Sequence, residues 1–106
     1  MAIALDSLTA PKAATLATTM QIVTVGGTPA SAALLQVTWA DDAQSAENIV
    51  YLELNTATEG GAVGANAIAL HPGSAYRTEP IVVHGCSSIG LAGSSAFDVT
   101  ARLIRL

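Results

Sequence analysis

Charge is what this sequence has least of. Charged side chains make up 11% of its 106 residues, against about 25% in an ordinary soluble domain. The cations are Lys12, Arg77, Arg102 and Arg105, and the net charge is −4. A nucleic-acid surface needs clustered Lys and Arg to displace counterions from phosphates, so no nucleic-acid partner is expected. The same shortage argues against a membrane surface. The lone cysteine, Cys86, cannot form an internal bridge, which excludes the disulfide-stapled secreted scaffolds. No apolar run is long enough to span a bilayer. The opening "MAIALDSLTAPKAATLATT" has no basic leader, and Asp6 breaks its apolar run. It does not read as a signal peptide, and synthesis in a cytoplasm without a membrane role is expected.

What remains is a chain of one-domain length. Folding at this size removes roughly two-thirds of the unfolded surface from water, so neither disulfides nor metals are needed for a core. Its exterior must be built from Ala, Ser, Thr and Gly. Such a surface costs little to desolvate when another protein covers it. A general bias toward alanine explains the same composition, and composition alone leaves both explanations open.

Apolar residues recur with period two, the signature of half-buried strands. Residues 19–25 set Met20, Ile22 and Thr24 against Gln21, Val23 and Val25, then break at Gly26-Gly27-Thr28-Pro29. Residues 33–40 put Leu35, Val37 and Trp39 on one face and Leu34, Gln36 and Thr38 on the other. Residues 48–55 put Val50, Leu52 and Leu54 opposite Ile49, Tyr51 and Glu53. A Gly-rich stretch, "TATEGGAVGAN" (56–66), reads as a flexible connection. Short strands are expected at 75–79, 80–84 and 88–93. Residues 96–106 alternate most cleanly, Phe97, Val99, Ala101 and Leu103 inward, Asp98, Thr100 and Arg102 outward. A competing helix over residues 10–20 is weakened by Thr18, Thr19 and the lack of charge. Short strands between Gly, Pro and Asp turns predict an all-β fold: a single small antiparallel β-sandwich, jelly-roll or Ig-like, at residues 19–106.

Residues 1–18 lack sustained alternation, and Pro11 interrupts them. Such a segment either packs along its own sandwich or extends as an arm across a neighbouring subunit. The arm is the favoured expectation, with Ile3, Leu5, Leu8 and Pro11 as its contact residues. Gly60, Gly61 and Val63 of the Gly-rich loop form a second expected contact.

Reactive residue types concentrate in "IALHPGSAYRTEPIVVHGCSSIGLAG" (68–93). His84 and Cys86 are two apart and share a strand face. Nucleophilic catalysis needs a third group to orient the base, and zinc needs one or two further ligands; neither is signalled. A small cysteine beside glycine more often fills apolar space. His71 sits beside the Pro72-Gly73 turn. "EGGAVGAN" lacks the Lys-Ser/Thr of a phosphate loop, the serines lack a nucleophile elbow, and Asp41, Asp42 and Glu47 match no calcium-loop spacing. Trp39, Tyr51 and Tyr76 could form a sugar platform, but with 4% aromatics large core fillers are the simpler reading. No catalytic residue, metal or cofactor is expected.

One order of features covers residues 49–106: a "VYL" strand with Val50, Tyr51 and Leu52, a Gly-rich loop, a turn at Leu70, Pro72 and Gly73, an apolar strand, a small strand and an alternating final strand. This resembles the small all-β structural proteins of tailed bacteriophages, including capsid decoration (cement) and neck or tail accessory proteins. The resemblance implies a non-enzymatic virion protein that self-associates around a symmetry axis, as a trimer for instance. It also implies contact with the major capsid protein or other virion proteins. It transfers no functional site. A carbohydrate- or ligand-binding sandwich module is the alternative of another class.

Overall fold

The computed structural model describes residues 2–5, 11–25, 28–29, 33–83 and 85–105. Among them ten strands follow in chain order: β1 (Ile3–Leu5), β2 (Lys12–Leu16), β3 (Gln21–Val25), β4 (Thr28–Pro29), β5 (Ala33–Trp39), β6 (Val50–Leu54), β7 (Ile68–Leu70), β8 (Ile81–Val82), β9 (Ile89–Gly93) and β10 (Phe97–Arg105). They form two sheets. One runs β1-β3-β9-β6-β7, with β4 also paired to β3, and the other runs β2-β10-β5-β8. The molecule is an all-β sandwich, as its alternation predicts.

The strands with the cleanest period-two pattern carry the core. β10 pairs antiparallel with β5 from Val99↔Trp39 to Arg105↔Ala33. That register sets Leu35, Val37, Trp39, Val99, Ala101 and Leu103 on one inward face, all buried. Against them the other sheet turns Val23, Val50, Leu52, Ile89 and Leu91, also buried. Each large aliphatic or aromatic side chain withdrawn from water this way contributes about 1.5–3 kcal/mol.

The N-terminal segment belongs to the same sandwich, which corrects the expectation of an arm. β1 pairs with β3 in parallel, Ile3↔Val23 to Leu5↔Val25, and the side chains of Ile3 and Leu5 are 3% and 2% exposed. β2 pairs antiparallel with β10, Leu16↔Phe97 to Lys12↔Ala101, where a helix was the competing expectation. The sheets are therefore antiparallel except at β1. Between β2 and β3 the chain passes from one sheet to the other, and Gln21 ties the corner. Its amide oxygen accepts the Ala17 N–H at 2.9 Å and its amide nitrogen donates to the Thr15 carbonyl at 3.3 Å.

The Gly-rich loop is a third layer. Its Gly60 N–H donates to the Met20 carbonyl, and the Met20 N–H donates to the Gly61 carbonyl, both at 2.8 Å. The loop covers the outer face of β9, whose five residues are all buried. A Cβ on Gly90 would stand 2.5 Å from the Ala57 Cβ and 3.0 Å from the Met20 sulfur, so β9 takes glycine where the loop presses closest. This is no flexible connection.

The second half departs from expectation in two further places. Residues 68–70, read as the approach to a turn, form the edge strand β7. Residues 74–76 form a 3-10 turn where a strand was expected, and the strand expected at 80–84 shrinks to β8.

Candidate functional site

The described reactive groups of the stretch 68–93, His71 and Cys86, sit in different surroundings. His71 is exposed just beyond β7 and lines a shallow lateral groove of about 290 Å³ with Ser74, Arg77 and Glu79. Cys86 is half-buried in a turn closed by its own N–H, which donates to the Val83 carbonyl at 3.2 Å. His84, the other half of the pair, lies outside the described residues. Among the described residues, no three His, Cys, Asp or Glu side chains gather as a metal would need.

Asp41 and Asp42 open a short 3-10 turn (Asp41–Ala43) and are exposed. The turn supports the core rather than an ion: the Asn48 amide donates to the Ala43 carbonyl at 2.8 Å, and the Asn48 carbonyl accepts the indole N–H of Trp39 at 2.8 Å. With Trp39 1% exposed, the tryptophan of the suggested sugar platform is inside the protein. Tyr51 and Tyr76 are half-buried, and Tyr76 packs against the core.

The loop that invited a phosphate reading already faces carboxylates of this chain. The Glu53 side chain, 6% exposed, accepts the Gly64 N–H and the Thr56 hydroxyl, each at 2.9 Å. Glu59 accepts the Ile22 N–H at 3.0 Å. Desolvation works against the Glu59 charge, but hydrogen bonding, that of Ile22 included, together with a positive charge nearby, outweighs it and holds the carboxyl below its ordinary value. Backbone donors engaged in this way tie the loop to the sheet.

Of the expected contact residues, Ile3 and Leu5 are core side chains and are not surface groups. Pro11 is exposed, and Leu8 lies outside the described residues. Gly60 is exposed, and Gly61 and Val63 are half-buried.

The outer face of β2-β10-β5-β8 is open. Cross-strand register lays it out in rows. Asp98 sits beside Thr15, whose hydroxyl donates to it at 2.6 Å. Thr100 sits beside Thr38 and Ala13. Arg102 sits beside Gln36, its Nε donating to the Gln36 side-chain oxygen at 3.1 Å. Ile104, Leu34 and Val82 form an apolar row ending at the sheet edge, where Val82 is 65% exposed. Arg77 joins the same face through an isolated bridge to Thr38. A groove of about 350 Å³ lies there, lined by Gln36, Arg77, Glu79, Arg102 and Ile104 among others.

Sequence reasoning missed this groove. Arg77 and Arg102 are far apart in the chain, and only β5, bridged to one and paired with the strand of the other, brings them to one face. The alternation of β5 and β10 was the available signal, since it already assigns Gln36, Thr38 and Arg102 outward.

The chain matches no protein-family model, no curated protein and no solved structure.

Proposed function

We propose that this chain is a non-enzymatic structural protein that works by packing against protein neighbours, in the manner of the decoration proteins of tailed-phage capsids. One observation carries the reading: the outer face of β2-β10-β5-β8. Its rows hold Ala13, Thr15, Leu34, Gln36, Thr38, Val82, Thr100 and Ile104, with Asp98 and Arg102 the charged members within the strands and Arg77 beside them. Short, uncharged side chains on a sheet lose little hydration and little rotamer freedom when a neighbour covers them. Repetition on a lattice multiplies contacts that are weak singly. With Ile3 and Leu5 in the core, the sheet face takes over the role first given to an arm.

The test adds charge to that face. Thr38→Lys combined with Thr100→Lys places two like charges side by side at its centre while leaving the inward faces alone. Sedimentation of the unaltered protein should show self-association, and the double variant should be monomeric with an unchanged circular dichroism spectrum. A solitary unaltered chain that also fails to join any particle would end the reading. Imaging of a native particle separates its two forms: occupancy following the capsid lattice means decoration, and a small multiple around the tail axis means neck or tail.

A further inference from the structure

The groove between Arg77 and Arg102 is the most specific feature of the exposed sheet face. A chain of net charge −4 with only four Lys and Arg side chains brings two of them to one depression. The backbone at Arg77 and the side chain of Arg102 are held in place. Arg77 stands between two anchors: Tyr76 packs against the core, and Thr78 is buried against β5. The Thr78 N–H donates to the Val37 carbonyl at 2.9 Å, and its hydroxyl accepts the Val37 N–H at 3.1 Å. The Gln36 amide adds a bond to the Thr78 carbonyl at 3.2 Å. Just before Arg77 the backbone turns through two consecutive left-handed residues, Ala75 (φ 57) and Tyr76 (φ 50). Non-glycine residues adopt this conformation only where the surroundings impose it, and such strain collects at binding sites.

Gln36 also fixes Arg102 by accepting from its Nε. That leaves the two terminal amino groups of the guanidinium, the pair that grips a carboxylate in fork geometry, without a hydrogen bond among the described residues. The Arg77 guanidinium likewise makes none there. With Arg102 oriented by Gln36 and the backbone that carries Arg77 fixed, part of the ordering cost is met before a ligand arrives. Beside them runs the apolar row Ile104–Leu34–Val82, and β8 at its end is the terminal strand of its sheet.

We propose that this groove binds an extended acidic segment of a protein partner, with one carboxylate between Arg77 and Arg102 and a neighbouring apolar side chain on the Ile104–Leu34–Val82 row. Charge complementarity selects the carboxylate, and the outer edge of β8, unpaired among the described residues, suits an extended backbone. Glu79 lines the same groove, so a densely charged anion meets repulsion that an isolated carboxylate flanked by uncharged residues avoids. The proposal rests on the reading that this chain acts by protein contact, and it names the chemistry of the partner.

The experiment titrates the isotopically labelled full chain with acetyl-Ser-Val-Asp-Val-Ser-amide and follows its amide resonances. It is run on the dilute protein, so the result does not depend on assembly and can fail separately from the charge-addition test above. Shifts should cluster at Gln36, Arg77, Glu79, Val82 and Arg102 with millimolar affinity. The same peptide with Asn for Asp should bind about tenfold more weakly, as should the Asp peptide to Arg77→Gln or Arg102→Gln, each equivalent to about 1.4 kcal/mol. Spectra of the free variants report whether each retains the fold, and Arg77 is exposed enough to serve alone if Arg102→Gln does not. Equal responses to the Asp and Asn peptides, shifts centred elsewhere, or no response overturn the proposal. So does inorganic phosphate binding as tightly as the peptide, which would mark a simple anion site.

Discussion

The carboxylate of Glu53, the penultimate residue of β6, accepts the backbone N–H of Gly64 at 2.9 Å. Strand and loop are eleven residues apart in sequence, and this bond, with that from Thr56, fastens the Gly-rich layer to the sheet it covers.

Removing that carboxylate should loosen the loop before it unfolds the sandwich. Glu53→Ala leaves the Gly64 amide and the Thr56 hydroxyl without their acceptor, a loss of about 1–3 kcal/mol. Glu53→Gln keeps an oxygen for Gly64 and should cost less. Urea midpoints order the two variants. Hydrogen exchange at Gly64 and Gly60 should accelerate more than at Leu91; uniform acceleration would contradict the anchoring role.

The close approach of the loop to β9 makes Gly90 irreplaceable unless the loop gives way. Gly90→Ala drives a methyl into the Ala57 Cβ and the Met20 sulfur, and overpacking of this kind costs about 1–3 kcal/mol. Met20 can move, but Ala57 has no rotamer to change. Ala57→Gly should therefore recover part of the loss in the double variant, a coupling that a thermal or urea double-mutant cycle reads directly.

A chain lacking residues 2–15 should fail to fold. The deletion removes β1, most of β2, and the buried side chains of Ile3 and Leu5. Leu5→Ala alone should cost about 2–5 kcal/mol. Dispersed amide resonances from the truncated chain, with β10 still protected from exchange, would restore the arm.

Glu59 sets a modest acid limit. Its carboxyl is held below the ordinary value, so the folded form favours the ionised group. The stabilisation is complete above the ordinary glutamate pKa and is lost as pH falls through the lower folded value. In a denaturation series from neutral to acid pH, Glu59→Gln should flatten part of the decline. An unchanged pH profile would mean that ionisation of Glu59 adds nothing to the stability of the fold.

Legibility in the sequence followed how local each cause is. The inward faces of β5 and β10 are readable because alternation is intrinsic to a strand with one wet side, and Trp39 as a core filler follows from it. β9 is legible as a strand, but nothing in its alternation says that both faces are dry; that depends on a loop folding back over Gly90. Glu53 was assigned to the face opposite Val50 and Leu52, correctly as to direction, yet its burial comes from Gly64. β2 is hidden because an edge strand of Ala and Thr carries little hydrophobic contrast, and β1 because three residues are too few to display a period. Their pairing with β3 and β10 is settled by tertiary contact. The Arg77–Arg102 groove was invisible for a similar reason: its two halves meet only across β5.

The position of β10 sets an order of events. It lies between β2 and β5, so the last strand described is the shared neighbour of two made long before it. During synthesis β3 can pair with β1 and β4, and β6 with β7, but β9, which joins β3 to β6, is made only just before β10, so β2 and β5 wait with exposed edges. Closure over such separations is slow compared with local pairing. The waiting interval is when this protein is most open to mispairing with another nascent copy of itself.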